Sequence, residues 1–454
     1  MVGHTPIDLA PRKSMTNPIA PKWILSLSTI KWLAFALACE VMYFRQPAFF
    51  SSPRFWAEEG AVYYKYALLK PWYQVLLTSH PKFGYYSLFN NLTSLIASRL
   101  VPLEYAPLVT TLLAYGIQSI PLAIILWGDS ELYSGYEKKL IAVLIVLFTL
   151  SSREVWLNTT NSHFYLLLIT VLILLERLDN ASHFRTWSFR LLLIIAGLTG
   201  PTSCFIAPLF FFKTMVEKKR EYLIQTALLF IATSVQLVVF LLNGSTTPLT
   251  ASRFSQVSIG TFGFIAWSRT IIVPIAGVDI AVGFVSKVLA LNSEHPKVFE
   301  LVGICLLMGL MALLTLNFLS KHAMQYDKSI LIAGSYASIL FLSIVTSLTQ
   351  GNKLVLIDAE WSPRYFYVPS VLLFLLVLSW VRFGERGWFA KARNFLCCTL
   401  LMVSLGSGIK DYERLNWQAN WPDWRQEVNR YYSDSTYNEL QIWPPGWSIK
   451  LESP

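Results

Sequence analysis

The sequence predicts an all-α integral membrane protein with about eleven transmembrane helices, in a range of about nine to thirteen. Three observations predict it. Of 454 residues, 54% are apolar and only 14% are charged, against about 25% charged in soluble domains; the mean hydropathy is +0.48. Apolar runs of about 16 to 22 residues recur along the whole length, matching the ~20 residues a helix needs to cross ~30 Å of hydrocarbon. These runs are rich in Leu, Ile and Phe and lack the alternation that a membrane barrel requires.

The net charge of +10 does not imply a nucleic-acid partner. Lys and Arg are scattered through short loops, as orientation by the positive-inside rule demands. The five cysteines, Cys39, Cys204, Cys305, Cys397 and Cys398, fall in apolar runs without a CxxC pair. They read as packing residues.

Taken in order, residues 1–23 form a polar cytoplasmic segment. The run 24–44 has Arg12, Lys13, Lys22 and Lys31 on its N-terminal side and retains Glu40. It has no small-residue cleavage site and so reads as an uncleaved signal anchor that carries the chain out. The polytopic domain spans 24–411. Its first external loop, 45–84, is full of Trp, Tyr and Pro, a composition that suits short helices on the membrane surface. Apolar segments follow at 85–100 and 105–127. Lys138 and Lys139 open the span 140–150 from the cytoplasm, 151–163 lies outside, and 164–175 returns to a connection bearing Arg177, Arg185 and Arg190. The run 191–212 has basic residues beyond both ends, the second set being Lys213, Lys218, Lys219 and Arg220. A hairpin of two half-helices broken at Gly200-Pro201 satisfies both flanks, where a single kinked helix does not.

The run 222–242 leads out again. The mixed region 243–297, with Arg253, Arg269 and Asp279, reads as external with at least one helix dipping into the membrane. Spans at 298–319, 330–348, 368–381 and 394–409 follow, with an external loop at 351–367. Arg382, Arg386, Lys391 and Arg393 mark a cytoplasmic turn. The tail 412–454 is short, polar and external. The termini therefore face opposite sides.

Sorted by side, the polar residues with chemical potential gather outside. Arg54-Phe55-Trp56-Ala57-Glu58-Glu59-Gly60 carries two adjacent carboxylates among aromatics. Neighbouring acids on a turn point in different directions, so one can accept a proton while the other orients a sugar or binds a divalent cation, Mg or Mn. Solvated loop acids partnered with Arg54 are the bland alternative. Arg364 and Tyr365 open an inward-going helix and are built to hold a phosphate through charge-assisted hydrogen bonds. An interfacial belt with one anchoring Arg is the alternative there. Asn161 and His163 start another span from outside, and His80 lies in the first external loop. No metal-ligand spacing, phosphate-binding Gly-rich loop or Gly-x-Ser-x-Gly occurs, which argues against a nucleotide-dependent enzyme.

Phe55-Trp56-Ala57-Glu58-Glu59-Gly60 is similar to the Phe-Trp-Ala-Glu-Asp-Gly signature of a group of bacterial membrane proteins, with Glu59 standing where that signature has Asp. Arg364-Tyr365-Phe366, Gly200-Pro201-Thr202 and Pro444-Pro445-Gly446-Trp447 also resemble that group. One cytoplasmic N-terminus, one helix and a long external loop with an acidic pair resemble the polytopic GT-C glycosyltransferases. The resemblance implies an inner-membrane enzyme that moves a sugar from a polyprenyl-phosphate carrier to a glycan or lipid acceptor on the periplasmic side. Glu58 or Glu59 would then be the base, and Arg364 with Tyr365 would meet the carrier phosphate. Asn161, His163, His80 and Arg54 are the further substrate-binding candidates. A transporter or flippase of lipid-linked saccharides is the competing expectation, and a structural envelope subunit is a third.

Overall fold

The computed structural model describes residues 26–80, 84–150, 154–179, 181–244, 257–319, 326–347, 352–385, 387–412 and 423–452. The segment 1–23, Arg253 and Arg386 lie outside the described residues. The chain is an α-helical membrane protein. Among the described residues, eight helices are long and apolar enough to cross a bilayer: Leu27–Arg45, Leu103–Trp127, Arg220–Asn243, Ile259–Ala276, Pro296–Thr315, Lys328–Thr346, Pro363–Trp380 and Trp388–Asp411.

Two helices form the centre. In Ser162–Leu175 every residue from Phe164 onward is buried, and in Tyr367–Trp380 every residue up to Leu378 is buried. Helices that are apolar all round belong inside a bundle, because no face favours water or lipid over protein. At the periphery the helices around 27–45, 220–243, 296–315 and 388–411 expose Leu33, Leu37, Phe44, Leu241, Met308 and Phe395. Those side chains suit a hydrocarbon surround. Ile259–Trp267 crosses Pro296–Leu319 so closely that a Cβ on Gly263 would sit 1.9 Å from the Gly303 carbonyl oxygen. Small residues permit this approach where lipid provides no hydrophobic drive between helices.

The Gly200-Pro201 break makes a hairpin. Helix His183–Gly197 starts beside the 218–220 turn, where Arg190 pairs with Glu221, and ends where Gln236 donates to the Gly197 carbonyl at 3.1 Å. Helix Ala207–Glu217 runs back, its Thr214 hydroxyl 2.9 Å from that of Thr226. Gly200 turns the chain at φ +81, a left-handed conformation that favours glycine.

Ion pairs sort the loops into two ends. Arg177–Asp129, Arg185–Glu176, Lys219–Asp179, Lys328–Glu217 and Arg393–Glu385 all lie where 127–139, 176–185, 217–221 and 380–394 turn. This is the basic end. The segment 45–80, the 154–161 turn, the Gly200-Pro201 tip, the 352–366 segment and the tail residues 423–452 gather at the other.

There the tail is a built element. Asp423 caps helix Trp424–Ser433, and strands Glu439–Ile442 and Trp447–Lys450 pair antiparallel. The Trp443 main chain donates to the Phe55 carbonyl at 3.1 Å and accepts from the Ala57 N–H. Phe55, Tyr64, Trp424, Leu440, Ile442 and Ile449 close a separate apolar core. Burying a side chain of this size contributes roughly 1.5–3 kcal/mol, so the tail holds the acidic loop firmly.

Candidate functional site

Three loops build the site, and each contains one non-glycine residue forced into the left-handed region. Ala57 has φ 40, Leu157 φ 48 and Ser362 φ 51. Such residues cost of order 1–2 kcal/mol each and persist where the surroundings over-determine them. Ala57 precedes Glu58, Leu157 lies in the turn that carries Glu154, and Ser362 precedes Pro363-Arg364. The fourth such residue among the described ones, Lys218, sits at the basic end.

The acidic pair divides at the Ala57 turn. Glu59 goes inward and is 2% exposed. Its Oε2 accepts from the Trp56 N–H at 2.9 Å, and its Oε1 accepts from the Thr159 N–H at 3.0 Å and the Thr159 hydroxyl at 2.5 Å. Burial pushes this carboxyl above the usual range, with hydrogen bonds from Thr159, Trp56 and Thr110 opposing. Glu59 therefore ties the acidic loop to the turn bearing Glu154. It also opens a π-helical turn, Glu59–Tyr64, a distortion frequent at functional sites. Glu58 stays half-exposed, and its charge is felt at Tyr63 and at Arg364.

Arg364 is held by a residue that the sequence did not single out. Its Nη1 donates to Glu154 Oε1 at 2.7 Å and its main-chain N–H to Glu154 Oε2 at 3.3 Å, with the two side chains 23% and 28% exposed. Glu154 is fixed through its main chain. The side-chain amides of Asn158 and Asn161 both donate to its carbonyl at 2.8 Å. Gln118 brackets the next residues, donating to the Val155 carbonyl at 2.8 Å and accepting from the Leu157 N–H at 3.2 Å. The available signal was that Glu154 is the lone acid of the 151–163 loop, opposite a loop that offers a lone Arg.

Tyr365 stands beside Arg364 and packs edge-on against Phe164, with ring centroids 5.6 Å apart. His163 stacks on Phe164 at 4.1 Å, and its Nδ1 meets the Thr160 carbonyl at 2.9 Å. Glu58, Glu154, Arg364, Tyr365 and His163 thus belong to one neighbourhood. Three other candidates have different engagements. Asn161 is buried and supports Glu154. Arg54 is buried against the tail, and burial lowers it to about 10 while Glu427 and Asp423 raise it. His80 lies edge-on between Tyr63 and Tyr66 at 4.9 and 5.0 Å, and burial pushes it down to about 4.

Arg269 lies against the same segment, on another π-helical turn, Ser268–Ile272. It is 0% exposed, stacks over the Phe366 ring at 4.5 Å and donates through Nη1 to the Asp358 carbonyl. The hairpin tip closes another side: the Gly200 N–H donates to the Tyr86 carbonyl at 2.9 Å, and Ser87 pairs with Thr199.

Among the described residues no group of three or more His, Cys, Asp and Glu side chains is placed to hold a metal ion. Glu58 and Glu59 form no cradle between them, because the Glu59 oxygens are committed to Trp56 and Thr159. No family model matches the chain, and no curated protein matches it either.

Proposed function

We propose that the protein is a membrane glycosyltransferase of GT-C-like architecture with about eleven crossings. It transfers a sugar from a polyprenyl-phosphate carrier to a glycan or lipid acceptor. Its site end faces the periplasm of a bacterial inner membrane and its basic end faces the cytoplasm. The observation that carries this reading is the Arg364 guanidinium held at a helix start by Glu154, with the partly exposed Glu58 carboxylate on the loop that Glu59 ties to the turn bearing Glu154, at the end opposite the basic one.

In this mechanism the carrier phosphate lies against Arg364 and Tyr365. The acceptor hydroxyl oxygen attacks the anomeric carbon while its proton passes to the Glu58 carboxylate. The bond from the anomeric carbon to the phosphate oxygen breaks, and the lipid phosphate leaves with that electron pair. One displacement inverts the carbon. Glu59 is a positioning residue: its bonds to Trp56 and Thr159 fix Glu58 relative to Glu154 and Arg364. This division supports Glu58 as the base, since Glu59 is buried with both oxygens hydrogen-bonded while Glu58 is partly exposed.

Purified protein supplied with polyprenyl-phosphate-linked radiolabelled sugars tests it. Glu58→Gln should lower transfer by about 10²–10⁴-fold, the usual contribution of a general base. Wild-type transfer by Glu58→Gln, or no transfer by the wild type to any envelope acceptor, overturns the reading. Movement of lipid-linked sugar across vesicles without transfer would favour a transporter.

A further inference from the structure

Glu154 already occupies the position that a phosphate would take. Its two oxygens meet the Arg364 guanidinium and the Arg364 main-chain N–H, the pair of donors a phosphate would use at the start of a helix. Both side chains keep about a quarter of their surface exposed, so a ligand can reach the pair. Arg269 adds a buried cation that is only partly satisfied. It is fully buried, its Nε and Nη2 have no hydrogen-bond partner among the described residues, and its charge couples to Glu154 and Asp358. A buried guanidinium without an ion pair is unfavourable, and a second anionic charge at this place would offset that.

We propose that Glu154 is a displaceable counterion: a phosphate ester takes its place on Arg364, and Arg269 pairs the second negative charge. The inference rests on the glycosyltransferase reading of Arg364. It gives Arg269 a part in the reaction. A sugar phosphodiester carries one negative charge and the departing lipid monoester two, so a second cation favours the charge that appears as the bond breaks. Displacing the Glu154 side chain need not unravel its turn, because Asn158, Asn161 and Gln118 hold main-chain groups instead.

The test is binding of farnesyl phosphate and of inorganic phosphate to the full chain in detergent, by calorimetry. Glu154→Gln should bind farnesyl phosphate about tenfold more tightly than wild type, Arg269→Gln about tenfold more weakly, and Arg364→Gln not measurably. Glu360→Gln, an exposed acid on the same segment, should match wild type and so exclude a general charge effect. Binding that needs Arg364 but does not tighten in Glu154→Gln overturns the counterion and leaves the phosphate reading standing. No binding by wild type or by Glu154→Gln overturns both. If Glu154→Gln does not fold, unchanged affinity in Arg269→Gln overturns the inference. Inorganic phosphate binding as tightly as farnesyl phosphate upholds the exchange but overturns a lipid as its source.

Discussion

Two carboxylates are buried equally deeply at opposite ends of the bundle, and they are held in different ways. Glu176, at the basic end, accepts from the Asp129 N–H at 2.6 Å, from the Tyr133 hydroxyl at 2.7 Å and from the Arg185 guanidinium. Lys213 donates to the Glu176 carbonyl at 2.7 Å. Glu59, at the other end, meets no cation within ion-pair distance among the described residues and relies on neutral donors from Trp56 and Thr159. Burial raises both carboxyls. At the basic end opposite charges neutralise one another locally, which fixes loops. At the site end Arg364 is paired with Glu154, whereas Arg269 and Glu58 meet no opposite charge within ion-pair distance among the described residues. Composition alone does not distinguish such ends; pairing does.

Removing the basic end's central acid should have the largest effect on stability. Glu176→Gln loses the ion pair to Arg185 and turns an amide donor toward groups that are themselves donors. We expect a loss of roughly 3 kcal/mol, read as a lower melting temperature in detergent, with the transfer rate per folded molecule unchanged. A rate that fell with Glu176→Gln while melting held would dissolve the distinction between the ends.

Acid should act on the site end through His80. Its folded-state value of about 4 lies below its ordinary 6.5, so folding favours the neutral ring. Stability from this group is full above pH 6.5 and is lost as the pH falls from there toward about 4. The ring is only partly buried, so the loss should be roughly 1–2 kcal/mol. Melting temperature measured across this window should fall more steeply for wild type than for His80→Asn. Identical slopes would show that some other group titrates.

Much of this arrangement could be read from the sequence because it is local. The apolar runs at 164–175 and 368–381, the Gly200-Pro201 break between basic flanks, and the aromatic acidic loop each announce themselves within a few residues. The region 243–297 was less legible. Its helix Ile259–Ala276 is apolar enough to cross, yet it carries Arg269, whose burial depends on the distant Asp358 and Phe366. The Glu154–Arg364 pair joins positions 210 residues apart, and no local pattern reports such a meeting. The tail gave only its Trp and Pro content; its docking on Phe55 and Ala57 is again long-range. The division of labour between Glu58 and Glu59 follows from the left-handed turn at Ala57, a residue type with no preference for it.

That turn allows the smallest and most selective test of the two ends. Lys218 at the basic end is exposed and ends helix Ala207–Glu217 in the left-handed conformation, its N–H donating to the Thr214 carbonyl at 2.9 Å. Glycine is the favoured residue at such a helix end, so Lys218→Gly should stabilise by a few tenths to ~1 kcal/mol, strain relief exceeding the added freedom of the unfolded chain. Ala57→Gly relieves the same kind of strain. There, however, the Cβ helps to fix the direction of the following residue, and the loop it stiffens is the one that presents Glu58. Ala57→Gly should therefore leave the stability within about 1 kcal/mol of wild type while lowering transfer several-fold; Lys218→Gly should leave transfer unchanged. Equal transfer by the two variants would mean that the Ala57 turn only closes a loop and that Glu58 is aimed by the Glu59 hydrogen bonds alone.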